Sequence, residues 1–151
     1  MLNFSEKVMG SSVKIVGKLL VMVLVSGISV SGISQQPKEE TRNIFFGGGS
    51  YYIDNEQVTE LGDFVKTLKN IDYYDVTIIS HTDNIGGKEY NQWLSDMRSR
   101  SVIQQLRRMG VSPESIKFRS DGLENPTFNN NSNIGRMRNR RVDITFTPIV
   151  F

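Results

Sequence analysis

The chain has 151 residues, 38% of them hydrophobic and 23% charged, a balance that suits one globular domain rather than a disordered chain or one embedded throughout in membrane. Its formal charge of +2 is unevenly spread: Lys7, Lys14 and Lys18 precede an apolar run, whereas residues beyond 34 carry 15 basic and 15 acidic side chains. A neutral domain of that kind has no general electrostatic grip on nucleic acid or anionic lipid, and the lack of cysteine excludes disulfides, thiolate metal sites, a thiol nucleophile and a lipid-modified cysteine within this sequence.

Residues 19–33, LLVMVLVSGISVSGI, are uncharged, follow the basic start and end among small residues. That pattern describes a secretory signal peptide. A retained membrane anchor is the alternative, although a spanning helix takes about 20 apolar residues and this run is interrupted by Gly27, Ser29, Ser31 and Gly32. Residues 1–34 are therefore expected to be a signal peptide or an N-terminal membrane anchor. The remainder leaves the cytoplasm under either reading, and membrane contact is expected only if 19–33 is retained.

Residues 35–42, QQPKEETR, read as a polar linker, and 43–151 as the folded domain. Asn43 to Phe46 forms a brief strand ending at Gly47-Gly48-Gly49, where a tight turn or a flexible loop is expected. Asp54 or Asn55 caps a helix running to about Lys69, with Val58, Leu61, Val65 and Leu68 on one face. Asp75 to Ser80 is a β-branched strand, followed by the turn HTDNIGG. A second helix spans about Lys88 to Met109 and stops at Gly110, its stripe being Leu94, Met97, Val102, Leu106 and Met109. Ser115 to Ser120 is a third strand, FNNNSN a loop, Ile134 to Met137 a short helix, and Arg141 to Thr147 a final strand. The order β-α-β-α-β-(α)-β predicts a layered α/β (α+β) domain with helices packed on one mixed sheet.

Within this frame Asp83 should sit where a buried strand turns toward a helix. Arg98 lies further along that helix, with a side chain long enough to reach back. An acid and a base facing one cleft make a receptor for a zwitterion, the carboxylate taking an ammonium and the guanidinium a carboxylate.

Three strings in order, HTDNIG, YNQWLSDMRSRSV and GRMRNRRVDI, resemble the OmpA-like peptidoglycan-associating domain, a family that includes the C-terminal domains of peptidoglycan-associated lipoproteins and MotB-type stator proteins. The resemblance covers about residues 43–147. It implies a β-α-β-α-β sandwich that binds the peptide stem of peptidoglycan without covalent chemistry, through diaminopimelate. It also implies that Asp83 takes the ammonium and Arg98 the carboxylate, that Thr82, Asn84, Asn91 and Leu94 form the pocket, and that Arg140 lies near the cleft with Arg141 beside it. The chain departs from the family pattern at Ser80, at Ser120–Glu124 and at Asn131–Ile134, which places the rim of the pocket, not the charge pair, in question. No cofactor or metal is implied. The partner is peptidoglycan, with an envelope protein as a further partner, in the periplasm or cell envelope.

The alternative to binding is a peptidoglycan hydrolase. A glycosidase needs two carboxylates flanking the bond and an amidase of the usual kind needs zinc, but the motif supplies an acid with an arginine, and His81 is the single histidine. A wall-bracing subunit of a stator or secretion complex is a further reading, in which residues 19–33 stay as an anchor. His81 is expected to order its turn, and Tyr51, Tyr52 and Trp93 to serve in packing, with contact to a glycan by one of these aromatics as the alternative. Arg136, Arg138, Arg140 and Arg141 are expected to be solvated charges partnered by Glu124, Asp121 and Asp143 rather than a nucleic-acid surface. Asp83→Ala and Arg98→Ala are each expected to abolish most wall binding and leave the fold intact.

Overall fold

The computed structural model describes residues 38–149, so the expected signal peptide or anchor lies outside the described residues. Four strands and three α-helices follow in the expected order: β1 (Glu40–Phe45), α1 (Asn55–Thr67), β2 (Tyr74–His81), α2 (Lys88–Arg108), β3 (Ile116–Gly122), α3 (Asn133–Asn139) and β4 (Arg141–Pro148). The strands form one sheet in the order β1-β4-β2-β3. β2 and β3 run parallel, joined by the α2 crossover, while β4 pairs antiparallel with both β1 and β2.

Period-2 alternation puts one row of apolar side chains on one face of this sheet. Val76, Ile78, Val142, Ile144 and Phe146 are fully enclosed, and the register sets Val76 opposite Phe146 and Ile78 opposite Ile144. Leu61 and Val65 of α1 and Val102 and Leu106 of α2 close over that row. Each such side chain contributes about 1.5–3 kcal/mol by leaving water.

β1 begins at Glu40, three residues earlier than the sequence signals and inside the stretch read as linker. Its polar start carries no strand signal of its own. What orders it is pairing with β4, Glu40 opposite Phe146 and Thr41 opposite Thr145. Arg42 also lays its guanidinium 3.7 Å above the Phe64 ring. As an edge strand, β1 accommodates charged residues that a central strand would not.

Asp54 caps α1 as expected, accepting from the Gln57 backbone N–H at 2.9 Å. The Gln57 side chain then exchanges hydrogen bonds with the Phe45 backbone at 2.7 and 3.0 Å, tying the first turn of α1 to the end of β1. α2 ends at Arg108, with Gly110 in the left-handed region at φ +94°.

The buried face of α2 differs from the expected stripe. Leu94, Val102 and Leu106 are buried, but so are Asn91, Ser95, Arg98 and Ser99, whereas Met97 and Met109 are only half-buried. The serines let the helix approach β3 closely: Ser95 Oγ accepts from the Gly122 N–H at 3.2 Å, and Ser99 meets the Ser120 hydroxyl at 3.3 Å. The N-terminal half of α2 is thus docked by hydrogen bonds and its C-terminal half by the apolar core.

Candidate functional site

The polar half of α2 faces the turn that leaves β2. At the end of that strand Thr82, Asp83 and His81 are all buried. The Thr82 N–H is fixed by the Gly122 carbonyl at 2.7 Å. Asp83 then folds the turn over itself, one carboxylate oxygen accepting from the Ile85 N–H at 3.1 Å, a local aspartate turn of the kind this residue favours. Asn91 pins the other side, donating from Nδ2 to the Ile85 and Gly87 carbonyls at 3.1 and 3.2 Å. Thr82 Oγ1 and Asn91 Oδ1 are buried without a hydrogen-bond partner in the protein. Such groups are few in folded proteins and mark places where a ligand or water completes the bonding.

The second carboxylate oxygen of Asp83 accepts from Arg140 Nη1 at 2.9 Å. Arg140 stands just before β4, and its Nε also donates to the Phe46 carbonyl at 3.1 Å. The Phe46 N–H returns a bond to the Arg140 carbonyl at 2.9 Å. The direct ion-pair partner of Asp83 is therefore Arg140, reached across 57 residues of sequence.

Arg98 does reach back toward the turn, as its position on α2 suggests. It is fully enclosed and spends three N–H groups on backbone carbonyls: Ser50 at 2.8 Å, His81 at 3.0 Å and Gly47 at 3.1 Å. Its guanidinium also lies 4.9 Å from the Phe46 ring centroid. Burial pulls the Arg98 guanidinium down to about 10; the nearby Asp83 charge opposes that shift and the Arg140 charge adds to it. It stays charged at neutral pH. Against the expectation that Arg98→Ala leaves the fold intact stands this arrangement, in which Arg98 ties the glycine loop to the end of β2.

The remaining site residues divide by depth. Leu94 is buried under the cleft, outside the main core cluster, while Asn84 is exposed on the turn. Tyr51, Tyr52 and Trp93, expected to pack, are 41%, 68% and 48% exposed. Composition and spacing leave packing and surface contact open for them, because an aromatic residue carries the same apolar signal in a core and at a surface. A shallow cavity of about 290 Å³ lies apart from Asp83, around Phe45, Phe128 and Arg138. Thr41, Asn43, Thr127, Arg141 and Asp143 complete its lining, and the one acid there, Asp143, is already engaged by Arg141.

The basic run is held by the protein. Arg136 donates to the Asn130 carbonyl and the Asn133 side chain, Arg138 lies 5.4 Å from the Phe128 ring centroid, and Arg141 grips Asp143 through two hydrogen bonds at 2.8 and 3.0 Å. Of the three expected acidic partners only Asp143 serves this run; Asp121 pairs with Arg119 and Glu124 with Lys88. His81, expected to order its turn, instead meets β4, with Nε2 3.3 Å from Asp143.

Burial pushes the Asp143 carboxyl up, but hydrogen bonds from His81 and Arg141 and their charges outweigh it, leaving the group below its ordinary 3.8. A depressed carboxylate stabilises the fold above its unfolded value, and that stability is lost as pH falls through the folded value. Asp143→Asn is therefore expected to lower stability at pH 7 and to flatten its decline below about pH 4. Urea midpoints at pH 7 and pH 3 that change by equal amounts would show that Asp143 does not set this acid sensitivity.

The four-stranded mixed sheet, two long helices on one face, and an aspartate between two arginines at the β2–α2 turn define a layered α/β domain with a charge-paired cleft. The chain belongs to the OmpA family, which it matches over residues 45–140. It is 33% identical over 101 residues to the outer-membrane lipoprotein YfiB of Pseudomonas aeruginosa, covering 67% of this chain and 60% of that protein. It is 32% identical over 107 residues to the probable lipoprotein YiaD of Escherichia coli, covering 71% and 49%. The chain thus spans about half to three-fifths of the length of these curated relatives. Among solved structures it superposes on the peptidoglycan-associated lipoprotein of Burkholderia pseudomallei with a TM-score of 0.65 and 26% identity, over 70% of this chain and 90% of that one. The periplasmic domain of Helicobacter pylori MotB shares the fold, with a TM-score of 0.62 at 23% identity over 77% and 80% of the two chains.

Proposed function

We propose that this chain binds peptidoglycan non-covalently through the free end of a stem-peptide diaminopimelate, tethering itself or a partner to the wall in the cell envelope. The observation that carries the reading is Asp83: a buried carboxylate at the mouth of a turn, beside two guanidinium groups and two unpartnered polar atoms. The ligand's ammonium takes Asp83. Its carboxylate takes Arg98, which has two N–H groups beyond the three it spends on carbonyls, with Arg140 at hand. For that carboxylate to arrive, the loop bearing the Gly47 and Ser50 carbonyls gives way, and three consecutive glycines make such movement cheap. Thr82, Asn84, Asn91 and Leu94 shape the floor and rim. The name of the Burkholderia relative, a peptidoglycan-associated lipoprotein, supports peptidoglycan as the ligand.

Recognition needs no reacting group here. Asp83 faces arginines rather than a second carboxylate, and among the described residues no three His, Cys, Asp or Glu side chains cluster as metal ligands. Soluble muropeptides released from purified sacculi by the chain would replace binding with hydrolysis.

Asp83→Asn keeps the side-chain shape and its acceptor for Ile85 but removes the charge. Its co-sedimentation with sacculi is expected to fall at least tenfold, the loss of one charge-assisted contact or more. Undiminished pelleting of this variant would overturn the reading.

A further inference from the structure

Three aromatic side chains line the rim of the cleft, and none belongs to the core cluster. Tyr51 follows the glycine loop, while Tyr90 and Trp93 stand three residues apart on α2 and so share one helical face. The Tyr51 and Trp93 ring centroids are 6.0 Å apart at 87°, and those of Tyr90 and Trp93 are 5.9 Å apart at 32°. The three residues are 41%, 45% and 48% exposed. One exposed ring needs no explanation, but a contiguous row of half-exposed rings marks an interaction site.

The row abuts the same two loops that hold the charges. Gly49 and Gly86 both adopt positive φ, +67° and +96°. A Cβ at Gly49 would stand 3.2 Å from the Tyr90 hydroxyl, and one at Gly86 would stand 2.9 Å from Tyr90 Cδ1. Gly49 lies in the loop whose Gly47 and Ser50 carbonyls Arg98 binds, and Gly86 lies in the turn that Asp83 opens. The Tyr90 ring therefore bridges the two loops of the charged cleft.

We propose that Tyr51, Trp93 and Tyr90 form a stacking subsite for a sugar ring of the glycan strand, next to the cleft that takes the stem peptide. This rests on the peptidoglycan reading above. A pyranose presents an apolar C–H face, which packs on an aromatic ring, and a rim of hydroxyls, which tyrosine O–H and indole N–H groups can meet. The rings carry no charge, matching a neutral sugar.

Trp93 is the single tryptophan of the chain, so its fluorescence reports this subsite directly. The purified full-length chain is titrated with a disaccharide-bearing stem peptide, the same stem peptide without sugar, and the disaccharide alone. The sugar-bearing peptide is expected to bind about three- to tenfold more tightly than the bare peptide, the size of an aromatic contact. Trp93 emission should respond to both sugar-bearing probes and not to the bare peptide. By calorimetry, Trp93→Ala and Tyr51→Ala should bring the sugar-bearing peptide down to the affinity of the bare one. Equal affinities with silent Trp93 emission overturn the subsite. A Trp93 response to the disaccharide, with Asp83→Asn leaving all three probes unchanged, would keep the subsite and remove the diaminopimelate reading. Self-association abolished by Trp93→Ala, with no response to sugar, would assign the face to a second copy of the chain and overturn the proposal.

Discussion

Replacing Arg98 by alanine is expected to lower folding stability by about 3–5 kcal/mol, because buried carbonyls lose their donor and a large enclosed side chain is removed. Arg98 is the largest fully enclosed side chain among the described residues, so truncation also opens a cavity between α2 and the glycine loop. Three carbonyls, on Gly47, Ser50 and His81, lose their donor at once. Asp83 loses one of the two positive charges beside it. Arg98→Lys should recover only part of the loss, because one ammonium cannot span three carbonyls that a planar guanidinium meets with separate N–H groups. Urea denaturation of the two variants measures both effects. A wild-type midpoint for Arg98→Ala would show that the carbonyl contacts are incidental. Weakened wall binding by Arg98→Ala reports folding and recognition together, so Asp83→Asn carries the binding test.

The layered architecture was legible because local signals agreed with one another: the Asp54 cap, the β-branched run before the His81 turn, the stop at Gly110 and the alternation of VDITF each point to an element that forms. Where expectation and structure part, a non-local contact decides. Nothing in Glu40–Arg42 signals a strand; β4 supplies it. Met97 and Met109 continue the apolar stripe of α2, yet Asn91, Ser95 and Arg98 take buried positions because their partners are backbone groups of the turn, the glycine loop and β3, which carry no residue-specific signal, and buried Ser99 meets the Ser120 hydroxyl. The Asp83–Arg140 pair is hidden for the same reason. Motif order brings both residues to attention, but only the antiparallel pairing of β4 beside β2 sets Arg140 across from the turn. Residue types were thus readable, while which cation faced which acid was not.

Gly135 carries the second large prediction, and its sign runs against helix propensity. Glycine within a helix is usually about 1 kcal/mol worse than alanine, so Gly135→Ala in α3 would ordinarily stabilise. Here a Cβ would stand 1.9 Å from the Asn129 carbonyl oxygen and 2.7 Å from its carbon, atoms of backbone rather than of a side chain that can swing away. That backbone is itself fixed. Ser132 donates to the Asn129 carbonyl from both its N–H and its hydroxyl, and the same hydroxyl caps α3 by accepting from the Gly135 N–H at 3.0 Å. From the far end of the helix, buried Asn139 exchanges hydrogen bonds with the Phe128 backbone at 3.0 and 2.8 Å. Loop and helix therefore cannot separate without breaking several of these bonds, and Gly135→Ala is expected to cost about 1–3 kcal/mol, the range for forced overpacking. The effect should reach the cleft, because α3 delivers Arg140, whose N–H is bonded to the Arg136 carbonyl and whose side chain holds Asp83. A lower urea midpoint together with weaker sacculus binding would follow from that linkage. Unchanged stability would mean that the asparagine loop moves aside freely, and that Arg140 is positioned by β4 and Phe46 alone.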